Sequence, residues 1–154
     1  MTDCAPGPGP ASRFVQLTGV DYVSESVDLA TAVAAAAQVP ATFLQDDLCD
    51  SRLPDACADL VVDKGTLDAV GLSVAGKAGK ARYSGSLARL LPPGGLLVVT
   101  SCNSTADELS AELQWTGVFE EVDRVRHYPV FRFGGVEGAR VATVAFRRRS
   151  PGQE

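Results

Sequence analysis

The sequence predicts an α/β fold in which a parallel sheet carries helices on both faces and ends in an antiparallel strand pair. Strand-like apolar runs alternate with helical patterns through most of the chain, which is typical of a parallel sheet. The run GLLVVTSC at 95–102 is the clearest strand, because it is continuously apolar like a parallel strand covered on both faces. The last two strand-like runs have no helix between them, and this predicts the antiparallel pair.

The first part of the chain contains three predicted strands and one predicted helix. FVQLTGVDY at 14–22 indicates a strand, and ATFLQDD at 41–47 indicates a second; both end in acids or beside one. Between them, SESVDLATAVAAAAQ at 24–38 indicates an alanine-rich helix with Ser24 as its cap. ADLVVD at 58–63 indicates the third strand.

The second part adds two predicted helices and the terminal strands. Apolar side chains on one face predict a helix over 80–91, which PPGG then ends. Thr105 and Glu108 have the spacing of a capping box and predict a short helix. The terminal strands are expected within 119–133 and 139–149, joined through the turn glycines of FGGVEG.

Length and composition indicate one domain and exclude several function classes. The 154 residues suit a single domain over 13–149, with a disordered Pro/Gly-rich leader at 1–12 and a tail at 150–154. The net charge of −5 disfavours nucleic acid and favours a basic partner. No run reaches the roughly 18 to 20 apolar residues that cross a membrane. Four cysteines without a CxxC pair, and a single histidine, match no zinc-site spacing, so no metal is expected.

Acidic residues follow or end three of the predicted strands: Asp21, the neighbours Asp46 and Asp47, and Asp63. Each alone is more often a helix cap or a solvated turn than a ligand group. Because the carboxyl ends of parallel strands meet at one edge of a sheet, the set predicts a ligand site at that edge. Carboxylates placed there can accept hydrogen bonds from a ribose, from the amino group of a base and from a cationic substrate.

Three segments of the sequence resemble one enzyme family. DKGTLDAV from Asp63, TSCNSTADEL from Thr100 and FRFGGVEG from Phe131 match, in this order, the class I (seven-strand) methyltransferases that use S-adenosylmethionine. Within that group, the chain resembles the elongation factor 1-alpha lysine methyltransferases from Gly19 to about Phe146. The resemblance implies a Rossmann-like sheet whose last strand is antiparallel, and S-adenosylmethionine as the cofactor.

The resemblance also implies which residues hold the cofactor. Asp21, with Tyr22 beside it, occupies the place where such enzymes hold the ribose hydroxyls. Asp47 and Leu48 resemble the pair whose carboxylate and backbone N–H recognise the adenine edge. Asp46 would take that part after a one-residue shift.

The DKGT stretch is implied to receive the methyl-accepting nitrogen. Asp63, counted among both the cofactor-binding and the catalytic residues, is expected to draw in a lysine side chain. Gly65 is expected to let the backbone approach closely, and Thr66 completes the catalytic group. A cation at Lys64 would be unfavourable beside an incoming lysine unless it points away or pairs with Asp68, and the role of Lys64 stays open.

Three residues are candidates for contact with the substrate: Asn103, Phe131 and Phe133. The alternative is that Asn103 starts the next helix and that the two phenylalanines fill the core.

One feature of the family is not found in the sequence. Such enzymes begin their sheet with a strand that runs into a glycine-rich loop ahead of the acid at position 21. Gly7 and Gly9 have the mutual spacing of that loop, but prolines flank them and no strand precedes them. The chain is therefore expected to lack the first strand and the loop, as a protein truncated at its N-terminus, which puts its own activity in question.

The sequence thus predicts a protein-lysine N-methyltransferase that acts on elongation factor 1-alpha, as a monomer, in the cytoplasm and also in the nucleus. The alternative is a non-catalytic binding protein that keeps the substrate-facing half of the fold. A nicotinamide-dependent oxidoreductase is disfavoured, because no GxGxxG follows a predicted strand.

Overall fold

The structure is a computed structural model that describes residues 16–128, 130–133, 136–139, 141–150 and 152. The chain divides after Asp47 into two compact units, so the predicted domain over 13–149 contains both. The predicted leader at 1–12 lies outside the described residues, and so does most of the predicted tail.

The first unit is a β-α-β motif. Strand β1 (Thr18–Asp21) leads into helix α1 (Ser24–Ala36), which returns the chain to strand β2 (Thr42–Gln45). The two strands pair in parallel, with Thr18 opposite Thr42 and Asp21 opposite Gln45. A parallel pair needs such a crossover, so the alternating pattern of the sequence is confirmed here.

The predicted cap of α1 is wrong. Val23 takes the N-cap position and makes no side-chain capping bond, while Ser24 is already the first helical residue. The hydroxyl of Ser24 donates to the side chain of Glu25 instead of accepting from the helix. The side chain of Asp21 accepts a hydrogen bond from the Val23 N–H, and an acid two residues upstream therefore turns the chain into the helix.

The second unit contains the other nine elements of the described residues. They are β3 (Leu60–Lys64), α2 (Thr66–Leu72), α3 (Gly76–Leu90), β4 (Leu96–Ser101), α4 (Ala106–Gln114), β5 (Phe119–Arg124), β6 (Val130–Phe133), β7 (Val136–Ala139) and β8 (Ala142–Arg148).

A four-stranded sheet in the order β3-β4-β8-β5 forms the centre of this unit. β3 and β4 are parallel, whereas β8 lies antiparallel between β4 and β5. The predicted α/β fold with an antiparallel last strand is therefore confirmed. The predicted terminal pair is β5 with β8. FGGVEG does not join these two strands directly, because a further antiparallel pair, β6 with β7, lies between them in the chain.

The core of the second unit lies between this sheet and its helices. The face of α3 that the sequence predicted is confirmed, because all of its apolar side chains are buried. The buried residues of that face are Tyr83, Leu87, Leu90 and Leu91. They pack with side chains of β4 and β8, including Leu97, Val99, Val144 and Phe146.

Helix α2 was not predicted from the sequence. It has seven residues and a single fully buried side chain, Leu67, so it shows too little periodicity to be recognised. Gly65 precedes it with a φ of +87°, in the left-handed region that favours glycine.

Candidate functional site

Asp21 ends β1 with a carboxylate that is held in place at one oxygen. Its Oδ1 accepts a hydrogen bond of 2.9 Å from the backbone N–H of Val23. No residue in the described part of the chain donates to Oδ2, and the residue is half-buried. This arrangement suits an acceptor for the hydroxyls of a ribose, since the carboxylate is oriented but still has free lone pairs. Tyr22 beside it is exposed, and its carbonyl accepts from Gln45 Nε2 at 3.0 Å.

Asp46 follows β2 directly and lies beside Asp21. Its backbone N–H donates to the carbonyl of Asp21 at 3.0 Å, so both acids lie at the carboxyl end of the β1–β2 pair. Asp47 comes next and is exposed. Leu48 begins the second unit, where its side chain packs against the core. The choice between Asp46 and Asp47 as the adenine acceptor stays a prediction.

Asp63, near the end of β3, is buried and accepts hydrogen bonds from three donors. Its Oδ1 accepts from the Thr66 N–H at 2.8 Å, and its Oδ2 accepts from the Leu67 N–H at 3.0 Å. The hydroxyl of Tyr83 also donates to Oδ2. With 4% of its surface exposed, the carboxylate anchors the start of α2. Its predicted role toward a lysine stays a prediction, and any such role would act through its charge.

Tyr83 is the buried partner of Asp63. It lies on α3 with none of its surface exposed. Burial raises the pKa of its phenol well above 10, and the negative charge of Asp63 raises it further. The phenol therefore stays protonated and remains a donor to Asp63 at ordinary pH. The sequence identified Tyr83 by its helix face alone, since nothing local to it indicates a polar partner 20 residues away.

The backbone of the DKGT stretch is tied to the end of β4. The N–H of Gly65 donates to the carbonyl of Thr100 at 3.1 Å. The predicted role of this glycine, to let the backbone approach the substrate closely, stays a prediction, and an added Cβ would meet no described atom within 4 Å. The left-handed φ is the reason that the structure gives. The side chain of Thr66 is exposed, and Lys64 is exposed without an ion pair to Asp68 among the described residues.

Asn103 lies in the loop between β4 and α4. Its N–H donates to Ser101 Oγ at 3.0 Å, and its side chain is exposed without a partner in the part of the chain that the structure describes. The predicted capping box is confirmed at Thr105, so Asn103 lies ahead of the helix and does not start it. The position suits contact with a substrate.

Phe131 and Phe133 are described by their backbone. Both lie in β6, where Phe131 is opposite Gly138 and Phe133 is opposite Val136. The turn predicted at 134–135 lies outside the described residues. Substrate contact and core packing therefore both remain open for these two phenylalanines.

The described residues contain neither a metal-binding cluster nor a membrane-spanning helix. Among the described residues, no group of three or more His, Cys, Asp or Glu side chains could hold a metal ion. In the same part of the chain, no helix is long and apolar enough to cross a membrane.

The fold is that of a methyltransferase domain. The family described as "Methyltransferase domain" matches residues 11–135, and the chain belongs to this family. Solved structures agree at the level of the fold. The N-methyltransferase NodS from Bradyrhizobium japonicum, in complex with S-adenosyl-L-homocysteine, has a TM-score of 0.64 at 18% identity, covering 88% of this chain and 67% of that one.

The same fold also serves another reaction. The [4+2]-cyclase SpnF has a TM-score of 0.66 at 17% identity, covering 88% of this chain and 67% of that one. The likeness of these structures therefore shows the Rossmann-like fold and leaves the reaction to other observations.

Curated relatives are similar over most of the chain. "Protein-lysine N-methyltransferase EFM4" of Saccharomyces cerevisiae is 38% identical over 141 residues, which are 88% of this chain and 61% of the relative. "EEF1A lysine methyltransferase 2" of Homo sapiens is 30% identical over 137 residues, which are 88% of this chain and 57% of the relative. The chain thus spans about three fifths of the length of these relatives, and the resemblance found in the sequence is confirmed.

Proposed function

We propose that the chain acts in protein-lysine N-methylation, with S-adenosylmethionine as methyl donor and a lysine of elongation factor 1-alpha as acceptor. The observation that carries this proposal is the similarity over 86–88% of the chain to relatives that are all named as lysine methyltransferases. The position of the DKGT stretch also supports it, because the N–H of Gly65 binds the carbonyl of Thr100 at the end of β4.

Asp21, Tyr22, Asp46, Asp47 and Leu48 would bind the polar groups of the cofactor. Asp21 offers the free lone pairs of Oδ2 to the ribose hydroxyls, with Tyr22 exposed beside it. Asp47, or Asp46 in its place, and the backbone N–H of Leu48 would bind the adenine edge. When bound, the cofactor supplies an electrophilic methyl group on a sulfonium.

The residues around DKGT would orient the lysine nitrogen. Methyl transfer depends mostly on holding the nitrogen and the methyl carbon at about 3 to 3.5 Å with aligned orbitals. Asp63 provides a buried negative charge there, while the exposed side chains of Thr66 and Asn103 are free to contact the amine. The amine must be neutral to react, and desolvation lowers its pKa.

The expected partner follows from the net charge of the chain and from the names of its relatives. A chain with a net charge of −5 suits a basic protein partner, and we expect elongation factor 1-alpha to be that partner. Neither nucleic acid nor a membrane is part of the proposal. We further expect a monomer that works in the cytoplasm and also in the nucleus.

The occupied carboxylate of Asp63 favours one alternative, a non-catalytic protein that binds the elongation factor. In that case the donors from Thr66, Leu67 and Tyr83 make Asp63 purely structural.

Two measurements on the same preparation separate these functions. Calorimetric titration with S-adenosylmethionine is expected to show stoichiometric binding that Asp21→Ala weakens, because the mutation removes the ribose acceptor. A pull-down is expected to retain elongation factor 1-alpha. Capture of the factor without any cofactor binding would support the binding protein and contradict the enzyme.

A further inference from the structure

The carboxylate of Asp68 joins the two loops that contain the predicted catalytic and substrate residues. Asp68 lies in the first turn of α2, three residues after Gly65. Its Oδ1 accepts from the hydroxyl of Ser101 at the end of β4, and its Oδ2 accepts from the N–H of Cys102 at 2.8 Å. Both oxygens therefore bind the next loop along the sheet edge.

Ser101 passes this constraint on to the rest of the loop. Its side chain is fully buried, and its Oγ accepts from the N–H groups of Asn103 at 3.0 Å and Ser104 at 2.9 Å. Because the hydroxyl uses its lone pairs on those two donors, its proton must go to a separate acceptor, and that acceptor is Asp68. Three consecutive N–H groups, from Cys102 to Ser104, thus depend on one carboxylate.

An asparagine at position 68 could not reproduce this pattern. Its amide has one acceptor oxygen, so its nitrogen, a donor, would face either the Ser101 hydroxyl, which already accepts twice, or the Cys102 N–H, which is itself a donor. Asp63 and the buried side chain of Leu67 fix the start of α2, whereas Asp68 binds the loop after β4. Hydrogen bonds to an ionised acceptor are also roughly twice as strong as neutral ones. Asp68 is therefore the strongest described tie between α2 and the loop of Asn103.

We propose that Asp68 is a positioning residue that holds the loop Cys102–Ser104, through Ser101, in the conformation that receives the protein substrate. The substrate part of this inference rests on the proposed function. The loop part rests on the hydrogen bonds of Asp68 and Ser101 alone.

Hydrogen exchange of the loop amides tests the positioning without any activity. In Asp68→Asn, the N–H groups of Cys102, Asn103 and Ser104 are expected to exchange roughly tenfold faster than in the unchanged chain. Asp107→Asn is the matched control, since Asp107 lies in the first turn of α4, is exposed, and binds Arg124 instead of the loop. Unchanged loop exchange in Asp68→Asn would overturn the inference.

A second variant covers the possibility that Asp68→Asn does not fold. Ser101→Ala removes the hydroxyl that accepts from Asn103 and Ser104 but leaves the carboxylate of Asp68. The amides of Asn103 and Ser104 are then expected to exchange faster than the amide of Cys102, because Cys102 still donates to Asp68. Equal exchange of all three amides in this variant would contradict the arrangement.

Kinetics test the consequence for the substrate. Asp68→Asn is expected to raise the KM for elongation factor 1-alpha about tenfold while kcat and the affinity for S-adenosylmethionine change little. Faster loop exchange with an unchanged KM would refute the substrate role. If the unchanged chain transfers no methyl group, the proposed function fails, and the exchange data still decide whether Asp68 positions the loop.

Discussion

At the scale of a residue, Asp63 is needed by the fold, and its proposed role in the reaction has to be tested separately from that. Removing its carboxylate would leave the Thr66 and Leu67 N–H groups and the Tyr83 hydroxyl without their acceptor. Asp63→Ala therefore tests stability and chemistry at once. Asp63→Asn separates them better, because the amide keeps the shape and one acceptor oxygen.

We expect Asp63→Asn to lose methyl transfer to elongation factor 1-alpha while binding S-adenosylmethionine nearly as before. Its free energy of unfolding should fall by about 1–3 kcal/mol, the cost of weakened buried hydrogen bonds. Asp59→Asn, at the exposed approach to the same strand, is the control and should change neither property. Full turnover by Asp63→Asn would exclude the negative charge from the reaction.

Tyr83 makes stability depend on alkaline pH. Its pKa in the folded chain lies well above 10 because of burial and the charge of Asp63, whereas the unfolded chain loses the proton near pH 10. Above that pH the folded state holds one proton more, so stability falls as pH rises, by about 1.4 kcal/mol per pH unit. The stability that protonated Tyr83 contributes is fully present below pH 10.

Urea unfolding between pH 9 and 11 checks this, with the free energy compared between the unchanged chain and Tyr83→Phe. As pH rises, the free energy of unfolding of the unchanged chain should fall relative to that of Tyr83→Phe, because phenylalanine has no proton to lose. Tyr22→Phe, an exposed tyrosine, should show no such trend. Parallel curves for Tyr83→Phe and the unchanged chain would contradict the assignment.

At the scale of an element, two glycines of α3 test how closely α2 packs on it. A Cβ at Gly79 would lie 3.0 Å from both Ala75 Cβ and Val70 Cγ1, whereas a Cβ at Gly85 would meet nothing within 4 Å. Alanine raises helix propensity equally at both sites. Gly85→Ala should therefore stabilise the chain by roughly 0.5–1 kcal/mol, and Gly79→Ala should be about 1–3 kcal/mol less stable than Gly85→Ala through overpacking.

Thermal or urea unfolding of both variants provides the comparison. Equal stability of the two alanine variants would mean that α2 yields freely at Val70, against the close contact in the structure.

The capping box of α4 gives a second prediction for an element. Thr105 Oγ1 accepts from the N–H of Glu108 at 3.2 Å, and a carboxylate oxygen of Glu108 accepts from the N–H of Thr105 at 2.8 Å. Thr105→Ala should cost about 1 kcal/mol in urea unfolding. Thr116→Ala changes an exposed hydroxyl with one long bond and should cost much less. A similar loss for both would show that the cap contributes little.

Several elements could be predicted because their signals are local. The continuous apolar run predicted β4, the one-sided apolar face predicted α3, and Thr105 with Glu108 predicted the start of α4. The antiparallel pairing of β8 with β5 followed from two strand-like runs without a helix between them, whereas the antiparallel place of β8 in the parallel sheet was implied by the family resemblance. Each of these patterns lies within a single stretch of chain.

The missed features depend on residues that are distant in sequence or on backbone geometry. Seven residues gave α2 too little periodicity. Serine is a common N-cap residue, but the N-cap of α1 is Val23, one residue before Ser24, where the carboxylate of Asp21 binds the backbone N–H. The partners of Asp63 and Asp68 on α3 and β4 lie 20 and 33 residues away, where only folding brings them together.

At the scale of the whole molecule, the chain belongs to a methyltransferase family, and the proposed function rests on this membership. The methyltransferase domain match spans residues from both compact units, and the predicted cofactor residues are likewise divided between them. The relatives named as lysine methyltransferases point to the acceptor. We therefore propose that the chain transfers a methyl group to a lysine nitrogen, and this proposal is the central claim.

The most direct test is mass spectrometry of elongation factor 1-alpha after incubation with this chain and S-adenosylmethionine labelled with deuterium on its methyl group. We predict that labelled methyl groups will be found on a lysine of the factor, and that Asp63→Asn will not add them. An unlabelled factor, with a chain that is folded and saturated with cofactor, would contradict the central claim.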